Sequence, residues 1–394
     1  MVSASNQISN HNGYAMNTNP FTNSHLGYQI GLIGFTRLSN ILRLTHYAIG
    51  IHPRYGLRLL LILITSLLTL PLRLWEKVVW ERRIINTPIT HPPIFIVGHW
   101  RSGTTHLHNL ICQDSAFGYL SMYQSMVPDC SLVGGNWLKS LLSKIVPVKR
   151  PMDNMTWPID APQEEEIALA KTMPHAFYTQ FLFPRKTLPL FKKFVLLQDA
   201  SEAFMREFKR KYYRLLQITT IHADGKQLVL KNPVNTARIR LLLELFPEAK
   251  FIHIHRCPYD VFASTRNLRD SLLSLTTLQA LDPDNVDRTI LELYEGMMQQ
   301  YLSDRPLIPA GQIVEVGFED LERKPLQVLQ RIYEELNLPG FNDAVPAFES
   351  YLASQGSYQK NQFQLSVQER ELIDRRWAFA FQRFGYANTP GVQI

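Results

Sequence analysis

The sequence contains little cysteine. Cys112, Cys130 and Cys257 are the three cysteines among 394 residues. Their spacing matches neither a disulfide framework nor a metal-ligand pattern. We therefore expect a reduced, cytoplasmic setting and predict no metal site.

The sequence also lacks a basic block with interleaved aromatic residues, which would indicate nucleic-acid binding. Its formal net charge is +7, but 34 acidic residues are interleaved with 41 basic ones. This balance favours anionic small molecules or a membrane surface as partners and argues against nucleic acid. With 45 % hydrophobic residues, the chain can form a full core.

The N-terminal part has no uninterrupted apolar run of the roughly 20 residues that span a bilayer as a helix. Its strongest candidate, Leu59 to Leu72, has 14 residues and precedes an amphipathic segment with Trp75 and Trp80. Three interpretations stay open: a buried helix that caps the domain, peripheral membrane attachment through residues 57–83 and, least favoured, a span. Residues 28–89 are predicted to be this helical region. Residues 1–27 lack the order of a secretory signal and are predicted to be a flexible tail.

From residue 90 onward, short apolar runs alternate with helical segments. Strands are predicted at 92–98, 227–231, 250–256 and within 312–321, and helices from Thr104, over 236–247, from Pro258 and from about Pro325. This order predicts one α/β domain over residues 90–390, with a central parallel sheet flanked by helices and a ligand at the carboxyl ends of the strands. The Pro-rich insert from about 122 to 194 is predicted to be irregular, as a lid over the substrate would be.

Residues 98–110, GHWRSGTTHLHNL, nearly match a phosphate-binding P-loop. Gly98, Gly103 and Thr105 fit the pattern, but Thr104 occupies the lysine position. A strand, a glycine-containing loop and a helix N-terminus offer backbone N–H groups to a phosphate, and Arg101 adds a cation. The loop therefore predicts a phosphate site.

An ATPase would need the missing lysine and an acidic residue at a neighbouring strand end for Mg²⁺. The third predicted strand ends with His255 and Arg256 instead. A nucleotide without a γ-phosphate, handled without a metal, accounts for both absences.

These motifs resemble the bacterial branch of the sulfotransferases that use 3'-phosphoadenosine 5'-phosphosulfate (PAPS). Arg256 and Ser264 match the family's 3'-phosphate pair, with its spacing of eight residues. Lys231, 25 residues before Arg256, matches a lysine that acts near the bridging oxygen of the phosphosulfate. The loop that matches the 5'-phosphosulfate site consists of Arg101, Ser102, Gly103, Thr104 and Thr105. The resemblance implies a P-loop-like nucleotide-binding fold and sulfuryl transfer from PAPS, with PAP as the product.

Two further positions take a role only from this resemblance. His106 falls where relatives carry a Trp that stacks on adenine. Lys360 lies in a C-terminal segment similar to a basic loop that reaches the 3'-phosphate. We therefore expect both residues to contact the nucleotide.

The catalytic base is not settled by the sequence. The positions where family members carry a histidine hold Pro233 and Asn235, which cannot take a proton. Three adjacent carboxylates at a predicted helix N-terminus remain as candidates, and repulsion among them would raise the pKa of a buried one. They are Glu164, Glu165 and Glu166. Glu165 is the first choice, and His99 is a further candidate.

The acceptor is expected to be a small molecule or lipid with a hydroxyl group, since the N-terminal region and the insert are rich in apolar and aromatic residues. Two alternatives belong to other functional classes. A P-loop kinase or NTPase would require Mg²⁺ and ATP. A catalytically inactive protein would bind PAP or PAPS without turnover.

Overall fold

The computed structural model describes residues 23–47, 50–147, 157–280, 285–355 and 364–387. Five parallel strands form one sheet in the order β2–β3–β1–β4–β5. The strands are β1 (Ile94–Val97), β2 (Phe117–Gly118), β3 (Gln227–Lys231), β4 (Lys250–His255) and β5 (Ile313–Gly317). The predicted parallel sheet and four of its strands are confirmed. The two-residue β2 is too short to produce a recognisable pattern in the sequence.

Helices cover both faces of the sheet because the strands direct apolar side chains to both faces. Successive side chains of a strand point to opposite faces. In β1, Phe95 and Val97 join the core on one face, and Ile94 and Ile96 join the core on the other. The fold is therefore a three-layer α/β arrangement with β1 at its centre.

The connections supply most of the helices. They are α4 (Thr104–Ile111), α5 (Met122–Met126), α6 (Ser131–Ser143), α7 (Glu165–Thr172), α8 (Thr187–Phe194), α9 (Glu202–His222), α10 (Ile239–Leu245), α11 (Pro258–Thr276), α12 (Val286–Asp304), α13 (Phe318–Arg323), α14 (Pro325–Glu335), α15 (Phe341–Ser354) and α16 (Val367–Phe384). The predicted helix starts at Thr104, Pro258 and Pro325 are confirmed.

Two predictions about the connections are wrong. The described part of the 122–194 insert is mostly helical, because α5 to α8 pack against the core and Pro184 begins a short 3-10 helix. The predicted 236–247 helix is divided at Arg238, whose backbone leaves the helical region. The Arg238 guanidinium there binds Glu166 and the Phe194 carbonyl.

Three helices precede the sheet: α1 (Asn23–Ile33), α2 (Leu38–Tyr47) and α3 (Gly56–Ile85). The first begins inside the segment predicted as a tail. Among the described residues, one helix, Pro53–Ile85, is long and apolar enough to cross a membrane by length and composition alone. Only 22 % of its most apolar window is buried. Of the three interpretations of this segment, a buried helix that caps the domain is therefore wrong.

Candidate active site

The loop between β1 and α4 is shaped by two glycines with positive φ. A Cβ at Gly98 (φ +146°) would lie 2.3 Å from the Ile254 carbonyl oxygen, and one at Gly103 (φ +94°) would lie 2.1 Å from the Phe318 ring. Both positions therefore require glycine. Gly103 leads directly into α4 without a side-chain cap. The first amides of α4 and the positive end of its dipole are suited to an anion.

Three residues predicted to bind phosphate meet beside this loop. The Arg101 Nε donates a hydrogen bond to the Ser264 hydroxyl at 2.8 Å. Arg256 Nη1 lies 3.4 Å from the Arg101 carbonyl oxygen, and its guanidinium stacks on Phe318. These contacts join the end of β1, the end of β4 and α11. The structure thus brings together the cations that the sequence assigned to the two ends of one nucleotide.

Lys231 ends β3 and reaches the same edge of the sheet. Its ammonium lies 3.3 Å from the Thr105 hydroxyl and forms an ion pair with Glu164. The lysine side chain is 2 % exposed, and the glutamate side chain is 15 % exposed. A buried cation therefore connects the loop to a carboxylate on the insert.

Glu164 is the N-cap of α7 and lies at the centre of a hydrogen-bonded chain. Its carboxylate accepts bonds from Lys231 and from the Tyr178 hydroxyl. Tyr178 in turn accepts a bond from the Trp100 indole N–H at 2.8 Å. Burial and the neighbouring Glu164 raise the pKa of Tyr178 well above its usual range, so its hydroxyl stays protonated and donates.

Sequence reasoning missed Trp100 and Tyr178. Trp100 lies inside the analysed loop motif, and Tyr178 lies in an insert segment noted only for its aromatic content. No spacing in the sequence connects Tyr178 with Glu164, because a 3-10 turn of the insert carries it back to α7.

The other two acidic residues of the triplet point elsewhere. Glu165, the first choice from the sequence, is buried and accepts a hydrogen bond from Tyr212 at 3.0 Å. Burial raises the pKa of Glu165 to about 7. Glu166 binds Arg238 at 2.9 Å, the Asn232 amide at 3.0 Å and the Phe177 backbone N–H at 2.6 Å. The geometry brings Glu164 to Lys231 and turns its two neighbours into the domain, because Glu164 is the N-cap with extended backbone while Glu165 and Glu166 form the first turn of α7.

The histidines and the remaining predicted contacts differ in their placement. His99 is buried between Trp100 and Tyr294, and burial lowers its pKa to about 4, so the ring is neutral near pH 7. This packing does not favour His99 as a base. His106 is partly buried on α4, and its stacking role stays a prediction. Lys360 lies outside the described residues.

An apolar cavity of about 120 Å³ opens beside the loop. Its polar end is formed by Arg101, Thr105, Glu164 and Tyr178. Its apolar wall comes from α1, α7, α11 and the insert, through Leu32, Ile33, Ile167, Phe181, Leu182, Leu268 and Leu272. No cluster of three His, Cys, Asp or Glu side chains that could hold a metal ion occurs among the described residues.

Comparisons with known proteins identify the family of this chain. The family model described as "Sulfotransferase family" matches residues 92–343. The chain is 34 % identical over 320 residues to the omega-hydroxy-beta-dihydromenaquinone-9 sulfotransferase Stf3 of Mycobacterium bovis and of Mycobacterium tuberculosis, covering 81 % of this chain and 82 % of each relative.

Two crystal structures share the fold. The sulfotransferase STF9 from Mycobacterium avium superposes with a TM-score of 0.63 at 21 % identity, covering 82 % of this chain and 83 % of that one. STF1 from Mycobacterium tuberculosis H37Rv gives a TM-score of 0.57 at 20 % identity, covering 83 % and 85 %. The family match and the 34 % identical relatives, together with the fold, show that this chain belongs to the sulfotransferase family and is an enzyme that transfers a sulfuryl group.

Proposed function

We propose that the donor is PAPS and that the sulfuryl group passes directly to the hydroxyl of an apolar, lipid-like acceptor. The observation that carries this proposal is the position of Lys231 between the Thr105 hydroxyl and the Glu164 carboxylate. Thr105 and Glu164, the two partners of this ammonium, both line the apolar cavity. A donor phosphate and an acceptor hydroxyl can therefore meet at one buried cation.

The donor end of the site fits a doubly phosphorylated nucleotide. Arg101 and the amides at the start of α4 suit the 5'-phosphosulfate, with Ser102, Thr104 and Thr105 supplying hydroxyls. Arg256 and Ser264 suit the 3'-phosphate, because a guanidinium and a hydroxyl bind the same phosphate well. The contact between Arg101 and Ser264 places these two groups side by side. ATP has no 3'-phosphate and therefore could not bind to Arg256 and Ser264 in this way.

In the proposed reaction, the acceptor oxygen forms a bond to sulfur while the bond from sulfur to the phosphate oxygen breaks. Glu164 takes the hydroxyl proton, and the Lys231 ammonium stabilises the negative charge that develops on the leaving phosphate. Tyr178 and Trp100 hold the Glu164 carboxylate in place through their hydrogen bonds. Glu164 replaces the family's missing histidine in this role.

The cavity wall supports an apolar acceptor. Most of the side chains that surround the space next to Glu164 are aliphatic or aromatic. A volume of about 120 Å³ suits the hydroxyl-bearing end of a long molecule rather than the whole of it. The 34 % identical relatives are named for a hydroxylated menaquinone, which is a lipid. We further propose that the exposed apolar side of α3 rests on a membrane, from which such an acceptor is drawn.

Two measurements test the proposed function. A nucleotide held at about 100 times its Kd adds about 2.7 kcal/mol to the stability of the protein. We expect PAP to raise the Tm of the wild type and of Arg375→Ala, an exposed control on α16, but not of Arg256→Ala. Transfer of labelled sulfate from PAPS to detergent-dispersed long-chain or isoprenoid alcohols should then follow. Stabilisation by ATP with Mg²⁺ but not by PAP would replace the proposal with the kinase alternative, and PAP binding without transfer to any hydroxyl would indicate an inactive binding protein.

A further inference from the structure

The polarity of α3 is reversed relative to that of an ordinary surface helix. Its protein-facing side carries polar residues, including Thr65, Ser66, Thr69 and Glu76, all buried. Its outer face is apolar; Val78 is 84 % exposed and Leu68 is 71 % exposed. We define the outer face of α3 as Leu57, Leu60, Ile64, Leu67, Leu68, Leu70, Leu74, Trp75, Val78 and Val79. A continuous exposed apolar surface of this kind indicates a partner outside the chain.

The helix is attached to the domain along its length. Thr65 accepts a hydrogen bond from the Phe35 N–H at 2.9 Å, and Glu76 accepts one from the Leu132 N–H at 2.8 Å. Glu81 forms a bidentate pair with Arg214, at 3.0 and 2.7 Å. A helix held in this way lies flat on the protein. Its outer face, from Leu57 to Val79, therefore extends about 35 Å over the surface, at about 1.5 Å per residue.

A wide groove of about 960 Å³ runs beside this face. Leu67, Leu70 and Leu74 belong both to the outer face of α3 and to the wall of the groove. The groove is also basic, with Arg73 and Lys77 on α3 itself and the other cations on neighbouring segments. Seven Lys or Arg side chains line the groove against two acidic ones, Glu81 and Asp129. The seven are Arg37, Arg73, Lys77, Lys209, Arg210, Lys211 and Arg214.

The basic side chains of the groove exceed their acidic partners among the residues that the structure describes. Arg37 is paired with Asp129, Arg214 with Glu81 and Lys209 with Glu244. Lys77, Arg210 and Lys211 form no ion pair with any residue that the structure describes. Burial, together with the positive charge of Arg37, lowers the pKa of Lys211 to about 8. An anion in the groove would relieve this concentration of like charge.

We propose that this groove binds the headgroup phosphates of anionic phospholipids while the outer face of α3 enters the acyl layer beside them. The pairing of a basic wall with an adjoining apolar face matches the layered chemistry of a bilayer surface, where phosphates lie next to hydrocarbon. The proposal rests on the membrane contact proposed above and adds to it a specific headgroup site.

Docking in this way would bring the active-site cavity close to the lipid. Leu32, Ile33 and Thr36 line the cavity, and the next residues, Arg37 and Leu38, line the groove. The same short stretch of chain therefore forms a wall of both spaces, although the two share no lining residue. The cavity and the groove therefore meet the same segment of the chain between α1 and α2.

The test is binding of the full chain to vesicles of phosphatidylcholine alone and of phosphatidylcholine with phosphatidylglycerol. The groove variant is Arg210→Ala with Lys211→Ala. Its matched control is Lys324→Ala with Arg375→Ala, which removes the same amount of positive charge. Lys324 is exposed at the start of α14, and Arg375 is exposed on α16. We expect the groove variant to bind the anionic vesicles roughly thirtyfold more weakly, at about 1 kcal/mol per cation, and the control to match the wild type.

The apolar contribution is tested with Val78→Glu and with Val367→Glu as its control, the latter at a valine that is 67 % exposed on α16. We expect Val78→Glu to weaken binding to both kinds of vesicle and Val367→Glu to leave it unchanged. All variants are first checked for stabilisation by PAP, which reports folding and the nucleotide site independently of the membrane. Loss of PAP binding with vesicle binding intact would count against the proposed function alone.

Three results would overturn the inference. One is anionic vesicle binding that the groove variant leaves unchanged. Another is thermal stabilisation by inorganic phosphate that is lost in the groove variant, with no preference for anionic vesicles, which would make the groove a site for a soluble anion. The third is a dimer in sedimentation that Val78→Glu dissociates, with no vesicle binding, since a second copy of the chain would then cover the face.

Discussion

The carboxyl edge of the sheet and the outer face of α3 present opposite kinds of side chain. At the sheet edge, charged groups such as Lys231 and Glu164 are drawn inward, and each finds a partner within the chain. On α3, apolar groups such as Leu68 and Val78 are turned outward, where no residue that the structure describes covers them. Burying charge and exposing hydrocarbon are both unfavourable for an isolated domain. Each region therefore marks a place where we infer a demand other than folding: the proposed chemistry at the sheet edge and the proposed membrane contact on α3.

The largest effect is expected from Glu164→Gln, which removes a proton acceptor from the sheet edge while keeping its shape. A positioned general base contributes about 10²–10⁴ in rate, so we expect kcat to fall by about 10³ while PAP binding persists. The matched control is Glu165→Gln, whose side chain contacts Tyr212 instead. Steady-state kinetics should show a fall in kcat for the first variant alone. Equal losses in both would mean that Glu165, the first choice from the sequence, shares the role.

The next largest effect on kcat is expected at Lys231, the cation that pairs with Glu164. Lys231→Met keeps the length of the side chain and removes its charge. Loss of one preorganised electrostatic group costs about 10²–10³ in kcat. We expect a reduction of this size, with the PAP-induced rise in Tm retained as evidence of a folded nucleotide site. A purely structural lysine would instead lower the Tm and leave the kcat of the folded fraction intact.

A smaller effect is expected from the pH dependence of stability. The pKa of Glu165 lies near 7 in the folded protein, against an ordinary value of 4.5, because burial disfavours the charged form. Between those pH values the folded state holds a proton that the unfolded chain releases, so the free energy of unfolding falls as the pH rises. At about 1.4 kcal/mol per pKa unit, this loss amounts to about 3 kcal/mol.

Glu165→Gln should remove that loss. We expect the variant and the wild type to be equally stable near pH 4.5 and the variant to be more stable at pH 7, as measured by urea unfolding across this range. A difference between the two proteins that stays constant with pH would show that the carboxyl ionises normally.

The smallest effect is expected for a substitution on the outer face of α3, measured as a change in the free energy of unfolding. Val78→Ser replaces an exposed valine, so the free energy of unfolding should change by less than about 0.5 kcal/mol. Ile62→Ala, on the buried side of the same helix, should cost about 2–5 kcal/mol because it opens a cavity. Urea unfolding without lipid measures both. A large loss for Val78→Ser would mean that the face is covered by the chain itself.

Much of the sheet and its phosphate loop could be predicted from the sequence because local rules determine them. A β-branched run that ends in glycine indicates a strand before a turn, and parallel strands bring Lys231 and Arg256 to one edge. The meeting of Arg101, Ser264 and Arg256 follows from that topology.

The insert and the choice among the glutamates could not be predicted in this way. The direction of each carboxylate depends on partners far along the chain, such as Tyr178 for Glu164 and Arg238 for Glu166. Two of the prolines that made the insert look irregular lie in helices: Pro184 begins a short 3-10 helix, and Pro189 lies in α8. The exposed apolar face of α3 could not be predicted either, because an apolar sequence does not indicate which side of a helix packs against the rest of the protein.

The Glu166 carboxylate also has a consequence for the order of folding. It joins the Phe177 amide to Asn232 and Arg238, which lie 66 and 72 positions along the chain. Contacts of such separation close large loops and form slowly. The contacts of the nucleotide site span still more of the chain, 163 positions from Arg101 to Ser264 and 155 from Arg101 to Arg256. We therefore expect the insert of a refolding chain to dock first, so that burial of Glu166 precedes protection by PAP in time-resolved assays, and protection by PAP before the insert docks would contradict this order. The donor site would then be completed only on a domain whose insert is already in place.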